Sequence, residues 1–172
     1  MVEKAQYELI NKINDIEIRK YPEMIFATVE GYEGDSGFNL LFNYISGENK
    51  TKKKISMTAP VVRSEKISMT APVISKENYM AFIMPSIYNK DTVPKPKNDE
   101  VKIEIQKEKT LAILRFSGKT NEELVNKQIK KMINILEDNN IKFKKQPILM
   151  RYNSPFAPGF IRRNEVAIEI DI

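Results

Sequence analysis

The amino-acid sequence predicts an α+β domain in which an antiparallel sheet wraps over two helices, in two pseudo-symmetric halves. Three observations carry this expectation. Runs rich in β-branched and aromatic residues are bounded by turn residues. Two separate stretches carry a helical apolar period. The order strand–strand–helix–strand–strand occurs twice, each time in roughly 80 residues, about half a typical domain. The half-repeats are expected at about 5–88 and 100–172, joined by a linker at about 89–100, within one domain spanning 1–172.

In the first half, residues 7–18 and 24–29 read as two antiparallel strands with Lys20-Tyr21-Pro22-Glu23 as the turn between them. The glycine-rich segment Gly31 to Gly37 breaks the strand pattern. Phe38, Leu41, Phe42 and Ile45 then fall at i, i+3, i+4 and i+7, the core stripe of a short helix. Gly47 and Asn49 are its stop signals. Strands are predicted at 54–62, 66–74 and 79–84, the last closed by Pro85. The polar, proline-containing stretch 89–100 reads as the linker.

The second half opens with strands at 101–106 and, as its partner, 111–116. Thr120 to Glu123 reads as a capping box, with Thr120 as N-cap and Glu123 at the third helical position. The helix runs to about Asp138 and presents Val125, Ile129, Met132 and Leu136 on one face. Strands near 147–152 and 165–170 complete the half.

Composition narrows the chemistry. The chain has 172 residues, 30% of them charged and 41% hydrophobic, as in ordinary soluble globular proteins. Its net charge of +5 mildly favours anionic partners. With no Cys, the chain builds no disulfide, thiolate nucleophile or zinc–thiolate site. With no His, it lacks a Ser-His-Asp triad, an HExxH metal site and an imidazole-ligated haem. The N-terminal residues lack an apolar leader core, and no later run approaches about 18 apolar residues, so a cytoplasmic location without membrane contact is expected.

One feature is literal repetition. Lys54-Ile55-Ser56-Met57-Thr58-Ala59-Pro60-Val61 recurs unchanged as Lys66 to Val73. Each copy alternates apolar and polar residues, so each reads as a strand with one apolar face, and its proline places it at an edge or bulge. Val62 to Glu65 is long enough to return the chain as a hairpin. A duplicated strand extending a sheet explains the pair more simply than chemistry at these residues does.

Several segments, in order, make the chain resemble the SOUL haem-binding family. They include Ile16-Glu17-Ile18-Arg19-Lys20-Tyr21-Pro22, Phe38 to Asn49 followed by Lys54 to Val61, Phe82-Ile83-Met84-Pro85, Arg151-Tyr152-Asn153-Ser154-Pro155 and Arg162-Arg163-Asn164-Glu165-Val166. The resemblance spans nearly the whole chain. It implies a distorted antiparallel β-barrel with two helices and a kinship with the effector-binding domains of bacterial multidrug-responsive regulators. It also implies binding rather than catalysis, with haem or another tetrapyrrole, a small planar hydrophobic ligand, as the cofactor. By that resemblance the ligand surface lies along the first helix and the following strand, at Leu40, Leu41, Tyr44, Lys54 and Met57. No histidine ligates the iron, so apolar contacts hold the macrocycle unless Met57, Met69, Tyr44 or a lysine ligates weakly. Lys50, Lys52, Lys53 and Lys54 follow the helix and could pair with propionates as flexible point charges.

Rival functions rest on weaker features. A sensor or sequestering domain for cationic aromatic compounds needs a buried carboxylate facing an aromatic wall. Glu165 is the candidate, and an ion pair with Arg162 or Arg163 is its simpler explanation. The acidic groupings Glu122-Glu123 and Glu165, Glu169, Asp171 do not form an acid–base pair, and no phosphate-binding glycine loop is present, so no enzyme is expected. Lys142, Lys144 and Lys145 around Phe143 are a weak nucleic-acid signal, and no nucleic-acid partner is expected.

Overall fold

The computed structural model describes residues 2–32, 34–52, 64–154 and 156–171. Its elements in chain order are β1 (Glu3–Lys4), β2 (Glu8–Ile13), β3 (Ile16–Tyr21), β4 (Met24–Glu30), α1 (Gly34–Ser46), β5 (Asn49–Lys50), β6 (Thr70–Ala71), β7 (Val73–Lys76) and β8 (Tyr79–Ile83). The second half adds β9 (Lys95–Pro96), β10 (Lys102–Gln106), β11 (Lys109–Phe116), α2 (Glu122–Asp138), β12 (Ile148–Arg151), a 3-10 turn at Gly159–Ile161 and β13 (Asn164–Glu169). Neither helix is long and apolar enough to cross a membrane.

Nine strands form one antiparallel sheet in the order β10-β4-β8-β7-β12-β13-β11-β3-β2, curled into a half-barrel. The order exposes the pseudo-symmetry, because β4-β8-β7 of the first half mirrors β11-β13-β12 of the second. It also corrects two pairings expected from sequence. β3 does not pair with β4, and β10 does not pair with β11. Instead β3 pairs with β11 and β10 pairs with β4, so each half contributes its first strand to the other half's edge. Local turns do not specify such exchanges, since a Pro22-containing turn can feed a strand to either side.

The predicted first strand is itself a hairpin. Asn14 adopts φ +53° between β2 and β3, a left-handed turn conformation that asparagine tolerates. Residues 64–69 form no strand, and the second repeat copy enters the nine-stranded sheet only at Val73 of β7, while β6, before Pro72, pairs in parallel with β1. The whole of the first copy, including Lys54 and Met57, lies outside the described residues, and with it the strand expected at 54–62. The predicted linker is ordered by specific contacts. Asn89 accepts hydrogen bonds from the backbone of Asp91 and Thr92, Val93 is buried, and β9 pairs with β5.

α1 lies over β4, β7 and β8, with Leu41, Tyr44 and Ile45 packed on Ala27, Val29 and Phe82. α2 lies over β3, β11 and β13, with Met132 and Leu136 packed on Ile18, Leu114 and Ile168. Asn121, not Thr120, caps α2, its side chain accepting a hydrogen bond from the Leu124 N–H at 2.8 Å. The two residue types are nearly equivalent as caps, so tertiary placement decided the register.

A third apolar cluster lies on the sheet face away from the helices. It joins Phe26 of β4, Ile74 of β7, Leu111 and Ile113 of β11, Met150 of β12 and Tyr21 of β3. β4 and β3 stand near opposite edges of the sheet, so only its curl brings them into one cluster. Burial on both faces explains why β11 (Lys-Thr-Leu-Ala-Ile-Leu-Arg-Phe) is apolar at consecutive positions.

Candidate functional site

The residues expected along α1 divide by burial. Leu41 is 0% exposed and Tyr44 1% exposed, both inside the α1 core. The Tyr44 hydroxyl donates to the Pro94 carbonyl at 2.6 Å, and burial, with Tyr88 and Glu65 nearby, pushes its pKa upward. Leu40 is half-buried against the same cluster. Phe42, expected in the core stripe, instead faces outward at 47% exposure. Its ring stacks on Phe38 at 6.0 Å and 13°, making an aromatic step on the flank of α1 opposite Leu40. The reversal follows from helix placement, because Gly37, Leu41 and Tyr44, four and three residues apart, take the inward stripe.

α1 ends at Gly47, whose φ of +133° suits glycine. Beyond it, the buried Asn49 side chain donates to the Tyr44 and Glu65 carbonyls at 2.8 and 2.9 Å and accepts from the Glu65 N–H at 3.0 Å. This clamp ties the helix end to the chain that returns from the first repeat copy.

On the opposite face the polar centre is Glu165, 0% exposed. Arg19 Nη2 lies 2.8 Å from one carboxylate oxygen, and Arg19 Nη1 donates to the other at 3.0 Å. Arg163 Nη2 donates to the first at 2.9 Å. Arg19 also donates to Glu17 at 2.7 Å and to the Tyr21 hydroxyl at 3.0 Å, and its guanidinium lies 4.1 Å from the Tyr7 ring centroid. Arg163 covers Tyr152 at the same distance. Burial alone would raise the Glu165 pKa, but hydrogen bonds from Arg19, Tyr152 and Arg163 overcome it and hold the carboxyl below its usual range. The expected ion pair with Arg163 is present, whereas Arg162 Nε donates to the Ala157 carbonyl. The carboxylate is thus already engaged by two guanidinium groups. The aromatic wall expected beside it exists, but the arginines occupy it.

Arg19, Tyr21 and Tyr152 were not singled out by sequence. The available signal was alternation in β3, with Ile16 and Ile18 on one face and Glu17, Arg19 and Tyr21 on the other. A face so polar reads as solvated until the curl of the sheet covers it.

Three cavities adjoin these elements. The one beside the face-opposite cluster, bordered by Tyr21, Phe26, Tyr79 and Met150, holds only about 60 Å³. A groove of about 510 Å³ lies between the N-terminal segment and the end of β8, over Met24, Ile25, Met84 and Ile105, with Lys4 and Lys90 at its edge. The third, about 170 Å³, lies between the starts of the two helices. Among the described residues no group of His, Cys, Asp and Glu is arranged to hold a metal. In the basic stretch 142–145, Lys144 pairs with Glu169 at 3.1 Å and Phe143 packs on the α2 cluster.

Comparison with known proteins agrees with this architecture. The chain is similar to heme-binding protein 2 of Mus musculus, 28% identical over 96% of this chain and 87% of that protein. It is 32% identical to heme-binding protein 2 of Homo sapiens over 87% of this chain and 75% of that protein. Among solved structures, it superimposes on the EcmrR C-terminal domain with a TM-score of 0.57 at 10% identity, covering 96% and 98% of the two chains. A structure described as a hydrolase from Listeria innocua gives 0.59 at 13% identity, covering 94% of each. At such identities the likeness concerns the fold alone. Residues 2–169 match the family described as SOUL heme-binding protein, and the chain belongs to that family.

Proposed function

We propose that the chain is a non-enzymatic binding protein for haem or another tetrapyrrole, holding it on the outer surface of α1 without a histidine axial ligand. The observation that carries this reading is membership of the SOUL heme-binding family over residues 2–169. Ligand pockets of small molecules usually enclose about 300–1,000 Å³. The 60 Å³ space beside Met150 does not fit a macrocycle, whereas the groove of about 510 Å³ does by volume. The family resemblance nevertheless points to α1, where the half-buried Leu40 on one flank and the stacked Phe38–Phe42 step on the other offer apolar surface. In this reading Leu41 and Tyr44, buried on the inner side of α1, hold the helix in place beneath the surface that meets the ligand. Lys54 and Met57, outside the described residues, stay candidates by the family resemblance. A bound haem would supply the redox and ligand chemistry of its iron. The residues of this chain would orient the ring by apolar contact and meet its carboxylates with lysine charges.

The test is titration of the purified chain with ferric haem, followed at the Soret band, and with metal-free protoporphyrin, followed by fluorescence. Saturation by both, weakened at least about tenfold in Leu40→Glu or Phe42→Glu, supports an α1 site without essential iron ligation. Ile105→Glu, at the 510 Å³ groove, is expected to leave both titrations unchanged. Loss of binding in Ile105→Glu alone would move the site to that groove, and no saturation by either ligand would overturn the proposal.

A further inference from the structure

The central strands β7 and β12 meet on the helix-bearing face, where α1 and α2 leave a gap between their N-terminal ends. There Arg151 stands between Val73 on one neighbouring strand and Asn164 on the other. Its Nε is buried without a hydrogen-bond partner, and the guanidinium forms no hydrogen bond or ion pair among the described residues. A cation partly removed from water with no hydrogen-bond partner is costly. Although the Asp35 carboxylate attracts Arg151, the orphaned Nε points to something that completes it.

The surrounding cavity of about 170 Å³ has the chemistry to do so. Arg162 lines it as a second cation, and Thr120 and Asn153 add neutral polar side chains. Asn164, 2% exposed, is fixed by donating to the Gly118 carbonyl at 2.9 Å. Phe38 and Val73 form an apolar wall that strengthens charge interactions inside. Among the described residues of the lining, Asp35 is the one acid beside Arg151 and Arg162, and its carboxylate attracts Arg151. At about 30 Å³ for each water in the liquid, the space accommodates one oxyanion with a few waters.

We propose that this cavity binds a small oxyanion, a phosphate or carboxylate group, with Arg151 as its principal partner and Arg162 as the second. The site is separate from the Glu165 network, whose guanidinium groups are already paired, and does not depend on tetrapyrrole binding. The Arg151 guanidinium favours a planar or tetrahedral oxyanion over chloride, because it offers a fork of N–H donors to more than one oxygen. Arg162, whose Nε donates to the Ala157 carbonyl, adds positive charge nearby.

The test uses the full chain in an otherwise anion-poor buffer, titrated with inorganic phosphate and, separately, acetate. Chloride at matched ionic strength is the control, and both melting temperature and calorimetric heat are followed. A saturable rise with phosphate or acetate beyond chloride is expected, and the anion that saturates identifies the class. Arg151→Gln should weaken that response at least about tenfold, as loss of a charge-assisted contact implies. Arg162→Gln provides the parallel test if Arg151→Gln does not fold. Absence of a saturable response to both anions, or an undiminished response in the variants, would overturn the site.

Discussion

Replacing Glu165 by Gln keeps the shape of the side chain and removes its charge. Arg19, 2% exposed, and Arg163 would then face an amide where they now share a carboxylate at 2.8–3.0 Å. Breaking a buried ion pair by removing one partner costs about 3–5 kcal/mol. In a domain of this length that lowers the melting temperature by about 6–20 °C, at roughly 2–4 °C for each kcal/mol. Urea denaturation at pH 7 measures the loss directly. Its pH dependence supplies a second readout. The folded carboxyl sits below its ordinary value of 4.5, so its contribution is complete above that pH and is lost as pH falls through the folded pKa. Wild type should therefore lose stability below about pH 4.5 faster than Glu165→Gln, and the two curves should converge in acid. A variant within about 0.5 kcal/mol of wild type at pH 7, or a constant offset across pH 2–7, would refute a charged, paired Glu165.

Other consequences are local. Tyr44→Phe removes the hydroxyl that satisfies the Pro94 carbonyl and should cost about 1–2 kcal/mol in denaturant titration, with the helical circular dichroism unchanged. Asn121→Ala should lower stability by about 1 kcal/mol while Thr120→Ala changes little, and equal effects would restore Thr120 as the cap. Leu136→Ala, at a site with no exposed surface between α2 and the sheet, should cost about 2–5 kcal/mol and leave protoporphyrin titration unaffected.

Much of the fold was legible because it rests on local patterning. The 3.6-residue period of Val125, Ile129, Met132 and Leu136 and the alternation of β13 each declare which side is buried. The duplicated order of elements showed that two similar halves share a sheet. Positions beyond that order were set by neighbours remote in sequence. Phe42 satisfies the apolar period of α1 as well as Tyr44 does, yet Tyr44 reaches the Pro94 carbonyl fifty residues on and takes the inner place. Similarly, Asn89 to Glu100 looks like slack linker until Val93 is buried and β9 finds β5.

The candidate sites divide along the same line. The absence of histidine and cysteine, the family likeness and the apolar character of α1 follow from residue identity alone. The exchange of β3 and β10 between halves, the convergence of Arg19 and Arg163 on Glu165, and the isolation of Arg151 between the two helix starts do not. Each depends on which strands the sheet brings together from distant parts of the chain. Arg19 and Glu165, 146 residues apart, meet on β3 and β13 with β11 between them. A sequence specifies its own turns and faces through local sterics and period, but the partner of a buried charge is chosen only when the sheet closes around it.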